Sequence, residues 1–160
     1  MGDAVSRDSY TPKERTTYRQ ALLDDLEIFD RHLQEAEFVD HGTIGLELEL
    51  NLVDDTMAPA GCNKEVLAEL SDEFQAEIGR YNVEVNHPPM ELSGDALTVL
   101  HEGLDERLRA VDKAAKKAGA NLAMIGTLPT VTTDYLRSDE WMTQENRYSC
   151  LLYTSDAADE

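Results

Sequence analysis

The sequence predicts an α+β fold in which part of an antiparallel sheet packs on long helices. Apolar residues recur at every second position across 44–52 and again across 81–86, the period of strands with one buried face. Two longer segments, 11–36 and 95–118, carry apolar residues three and four positions apart, as amphipathic helices do. The chain has 160 residues, near the size of one domain, and no internal repeat divides it.

Each element has its own signal. Thr11, Pro12 and Glu14 have the order of an N-cap, a first helical position and a capping-box partner. The helix they open aligns Tyr18, Leu22, Leu26, Phe29, Leu33 and Ala36 on one stripe. From Thr43 the period becomes two: Ile44, Leu46, Leu48, Leu50 and Leu52 alternate with Gly45, Glu47, Glu49 and Asn51. Asp54 and Asp55 begin a turn, and Pro59 to Gly61 is loop. Asn63 is expected to cap a short helix through Val66, Leu67 and Leu70, with another helical turn over Phe74 to Ile78. Val83 and Val85 alternate with Asn82, Glu84 and Asn86 in a second strand, which Pro88 and Pro89 are expected to stop. A helix over Asp95 to Ala118 follows, with Leu97, Leu100, Leu104, Leu108, Val111, Ala115 and Ala118 on its stripe and Gly119 just past its end. Leu122 to Ile125 is a third strand, running into Gly126, Thr127, Leu128 and Pro129.

Composition narrows the function. Asp and Glu number 33 against 14 Lys and Arg, a formal net charge of -19. Such a surface repels phosphate backbones and anionic membranes, so neither nucleic acid nor a membrane is an expected partner. Cys62 and Cys150 form no CxxC motif, and a reducing cytoplasmic setting fits them. His32, His41, His87 and His101 have no metal-ligand spacing, and neither GxxxxGK nor GxGxxG occurs.

The acid excess has a local focus. Residues two apart on a strand share a face and lie about 6.7 Å apart, so Glu47 and Glu49 project side by side, backed by leucines. At an effective dielectric of about 20, two such charges about 4 Å apart repel by about 4 kcal/mol. A hard divalent cation with oxygen ligands would offset that; a solvated outer face would dilute it. Glu84 lies on the polar side of the second strand and joins the pair if the strands are neighbours. Glu77, seven residues earlier, is placed to approach the rim.

GLELELNLVD, QAEIGRYNVEVNHPP and AMIGTLP, in this order, resemble successive motifs of the glutamate–cysteine ligase family, in its carboxylate–amine ligase branch. The likeness runs from about Thr11 to Tyr148. It implies a glutamine-synthetase-like fold, whose antiparallel sheet forms a bowl around ATP, Mg2+ and glutamate. It also implies ligation of glutamate to cysteine, or to another amine, through a γ-glutamyl phosphate, as in glutathione-type thiol biosynthesis. Glu47, Glu49 and Glu84 match the family's metal-binding glutamates, and Glu77 an acidic residue seven positions before the last. Gly126, Thr127 and Pro129 match a Gly-Thr-His-Pro turn lining the substrate site, but Leu128 stands where that turn has histidine. The alternatives are another ATP-dependent carboxylate–amine ligase of this fold, or a non-catalytic acidic cation-binding module.

Residues 1–148 are therefore expected to be the N-terminal part of a ligase catalytic domain, inactive by itself. Residues 149–160, SCLLYTSDAADE, resemble translated adapter read-through and are expected to be a non-native tail.

Overall fold

The computed structural model describes residues 6, 7, 9–37, 41–138 and 140–156, with side chains described as far as 151. They divide into two compact units, one of them His41–Thr143 and the other drawn from 1–40 and 144–160.

In the second of these, helix α1 (Pro12–Glu35) begins as expected. The Thr11 hydroxyl accepts from the Glu14 amide at 3.3 Å, and the Glu14 carboxylate accepts from the Thr11 amide at 2.9 Å, completing a capping box. Arg7 reinforces it with an ion pair to Glu14 at 2.5 Å. The stripe expected to be buried is open: Tyr18, Leu22, Leu26, Phe29 and Leu33 are all exposed, and α1 has no buried residue.

The unit His41–Thr143 is built on a four-stranded antiparallel sheet. Its strands are β1 (Thr43–Val53), β2 (Phe74–Ala76), β3 (Asn82–Glu91) and β4 (Asn121–Ala123), in spatial order β2-β3-β1-β4. Two helices cover one face: α2 (Asn63–Leu67) and α3 (Ala96–Lys117). Short α4 (Thr133–Arg137) follows β4, and α5 (Asn146–Asp156) lies in the other unit, running across the boundary expected at 149.

The core is the leucine row read from the alternation. Leu50, Leu52, Val83, Val85 and Phe74 on the sheet meet Val66 of α2 and Val111, Ala114 and Ala115 of α3, with Leu48, Leu104, Leu108 and Leu122 packed around them. Each fully buried Val or Leu side chain stabilises the fold by about 1.5–3 kcal/mol. The small residues of α3 let the helix approach the sheet closely; Leu97, expected on this stripe, is exposed instead. Gly119 sits just beyond the helix at φ 77°, the left-handed position that ends helices without a Cβ penalty.

Three local expectations are corrected. Phe74–Ala76 is a strand, because pairing with Val83–Val85 outweighs local helical spacing over so short a segment. Asn63 is not a cap: it is buried at the first position of α2, and its amide donates to Thr143 Oγ1 at 2.9 Å. Strand β3 also runs through Pro88 and Pro89 to Glu91. There the register slips, with Leu46 opposite His87 but Ile44 opposite Met90. The extra β3 residue forms a bulge that tolerates the missing amide donors, and β2 no longer flanks β3 at that point.

Candidate metal and substrate site

The sheet face turned away from α3 is acidic. Its register places Glu49 directly opposite Glu84, Glu47 opposite Asn86, and Asn51 opposite Asn82. Opposed side chains in an antiparallel pair have Cβ atoms about 4.5–5.5 Å apart, close enough for like charges to repel. The expected grouping of Glu47, Glu49 and Glu84 on one face of adjacent strands is thus what the fold produces.

These carboxylates differ in setting. Glu47 and Glu49 are exposed, whereas Glu84 is only 6% exposed, flanked by Gln75 of β2 and Glu49 of β1. Glu77 follows directly on β2, and its carboxyl lies within hydrogen-bonding reach of Glu84. Burial pushes the Glu77 carboxyl above its ordinary range; the hydrogen bond to Glu84 and the charges of Glu84 and Glu49 push it the same way. The Glu77 backbone is fixed by its carbonyl, which accepts from Thr143 Oγ1 at 2.5 Å.

Two asparagines on this face escaped the sequence reading. Asn86 is buried, and its Nδ2 donates to Glu84 Oε1 at 2.7 Å. Its Oδ1 is also buried and has no hydrogen-bond partner. An oxygen left so costs about 1–3 kcal/mol unless a donor or cation meets it. Asn51, likewise buried, accepts from Asn82 Nδ2 at 3.0 Å and donates to the Ile125 carbonyl at 2.8 Å. The signal was present in the alternation, because Asn51, Asn82 and Asn86 share the parity of the glutamates. What it did not carry was their burial.

Gly126 and Thr127 are exposed in the turn after β4. The turn is held on both sides: Asn51 grips Ile125, and Leu128 is buried with Val53 and Ala123 in a small apolar cluster bordered by Tyr81 and Val131. Leu128 is therefore a packing residue at the position where the motif has histidine.

Among the described residues, no three His, Cys, Asp or Glu side chains converge into a preformed metal cage. The donor chemistry nonetheless fits a hard cation: carboxylates on one face, one of them buried, beside an orphaned amide oxygen. A groove of about 290 Å³ lined by Leu50, Leu122 and Met124 and by Asp105, Leu108, Arg109 and Asp112 of α3 lies on the α3 side of the sheet, away from the carboxylates of the acidic face. No described helix is long and apolar enough to cross a membrane.

A family model described as glutamate-cysteine ligase family 2 matches residues 43–159, which include every element of the sheet. No curated protein and no solved structure matches the chain.

Proposed function

The chain belongs to glutamate-cysteine ligase family 2, and on that premise we propose that its acidic sheet face is one wall of an ATP-dependent site joining glutamate to cysteine. Family membership implies a ligase-type enzyme; ATP, Mg2+ and the identity of the two substrates are our reading. One observation carries it. Glu49 and Glu84 oppose each other at the centre of the sheet with Glu77 against Glu84, a concentration of charge that a cation would relieve.

In this reading the γ-phosphoryl group of ATP passes to a γ-carboxylate oxygen of glutamate and ADP leaves. The cysteine amine then attacks the acyl carbon, loses a proton and expels phosphate. Bound magnesium would supply charge neutralisation for the first transfer. Glu47, Glu49 and Glu84 would hold it, while Glu77 shares the Glu84 end of the face. Asn51 keeps the Gly126–Thr127 turn against the same sheet, where the turn would border the substrates. The chain is strongly acidic, so a polyanionic nucleotide needs a cation between itself and this face.

Equilibrium ATP binding with and without Mg2+ tests the reading. Binding should require Mg2+ and weaken at least tenfold in Glu49→Gln and Glu84→Gln. Nucleotide binding indifferent to both metal and substitutions would overturn it.

A further inference from the structure

We propose that Asn86 is a direct oxygen ligand of the divalent cation, through Oδ1, beside Glu84 and opposite Glu47. The inference rests on the metal reading of this face and adds to it a neutral ligand.

The argument begins with the orientation of the amide. Asn86 lies two residues from Glu84 on β3, so both side chains leave the sheet on the same side. Asn86 Nδ2 donates to Glu84 Oε1 at 2.7 Å, and this fixes which end of the amide is which. A carboxylate oxygen accepts, so the amide nitrogen must face it, and Oδ1 points elsewhere. Asn86 is 8% exposed, and Oδ1 is shielded from solvent without a protein donor. The Asn86 main chain is tied as well, its N–H donating to the Glu73 carbonyl at 2.8 Å.

The side chains grouped with Asn86 across the ladder are acidic. Glu47 opposes it, and Glu84 and Glu49 form the adjacent pair. Ionised carboxylates have no proton to give, so they cannot satisfy the amide oxygen. A group that binds this oxygen and also neutralises the carboxylates around it is a cation, and a hard divalent cation takes mixed carboxylate and amide oxygens. The hydrogen bond from Nδ2 would also steer Glu84, making Asn86 a ligand and an orienting partner at once.

The test is Mn2+ affinity, measured by calorimetry or by electron paramagnetic resonance of free Mn2+, on the full chain. Asn86→Leu nearly conserves volume and removes the oxygen. It should weaken Mn2+ at least tenfold, a far larger effect than the modest loss of metal-free stability expected because Glu84 loses the Nδ2 donor while the orphaned oxygen disappears. Asn86→Asp keeps an oxygen there and should bind Mn2+ at least as well as the unaltered chain. A role in packing alone would change metal-free stability and leave affinity untouched. Glu84→Gln separates the two ideas. If Glu84→Gln weakens Mn2+ and Asn86→Leu does not, Asn86 is no ligand and the metal site stands. If the unaltered chain binds no Mn2+, or Glu84→Gln has no effect, the metal reading falls and this inference with it. Should Asn86→Leu fail to fold, the unaltered chain decides. The Asn86 carboxamide carbon resonance should move on Mg2+ addition, and a resonance that stays in place at saturation would overturn the proposal.

Discussion

Asn82 Nδ2 donates to Asn51 Oδ1 across the β1–β3 ladder at 3.0 Å, and Asn51 passes the restraint on to the Ile125 carbonyl at 2.8 Å. Two amides thus tie the carboxylate strands to the turn that carries Gly126 and Thr127. Asn51→Ala leaves the Ile125 carbonyl and the half-buried Asn82 amide without this partner. The expected loss is about 2 kcal/mol in denaturant unfolding, together with faster amide exchange at Gly126 and Thr127. Unchanged exchange there would show that the turn is held by Leu128 alone.

Glu84→Gln should act in opposite directions with and without metal. It removes a negative charge opposite Glu49 and against Glu77, so the metal-free chain should gain up to about 1 kcal/mol. Any rise in melting temperature on adding Mg2+ should shrink. In a complete ligase carrying this face, turnover should fall by about 100-fold or more, the scale of losing one electrostatic stabiliser. Thermal melts with and without Mg2+ read the first two effects, and ADP release dependent on glutamate and cysteine reads the third.

Leu128→His would write the motif's histidine into this chain. Because Leu128 is 4% exposed and packs on Val53 and Ala123, the change buries a polar ring in an apolar cluster. A loss of about 3 kcal/mol is expected in unfolding experiments, with no gain in nucleotide binding.

The start of α1 should respond to acid. The Thr11 amide, then the Thr11 hydroxyl, then Arg7 lower the Glu14 carboxyl from 4.5 to about 2. A depressed folded value means that the ionised form supports the helix start. That support is complete above pH 4.5 and disappears as pH falls through about 2. The Thr11 amide resonance, followed from pH 6 downward, should move in this window, and Glu14→Gln should abolish the movement.

Much of this was legible in the sequence because pleat parity is a strict code. Once 43–52 was read as a strand, Glu47 and Glu49 had to share a face, and the leucines had to form the core. The helix over 96–117 and its terminal Gly119 were likewise written in spacing and chemistry. What failed were features set by partners distant in sequence. Phe74–Ala76 is a strand only because β3 lies beside it, and Pro88–Pro89 stays in β3 only because a bulge accommodates it. Asn51 and Asn86 were invisible as site residues because a polar side chain on a strand looks solvated until its neighbours are known. The stripe of α1 shows the opposite error, since helical periodicity alone does not say whether a face is covered.

The order β2-β3-β1-β4 puts the acidic strands β1 and β3 in the middle of the sheet, each hydrogen-bonded on two sides. Sliding either by one residue would turn its glutamates into the leucine layer and its leucines outward. The spacing between the carboxylates therefore has no fine adjustment: it comes in whole steps of the ladder. A lineage of such proteins can retune the face only by exchanging one side chain for another at a fixed address. Changes such as asparagine for aspartate at position 86 are then the smallest moves open to it.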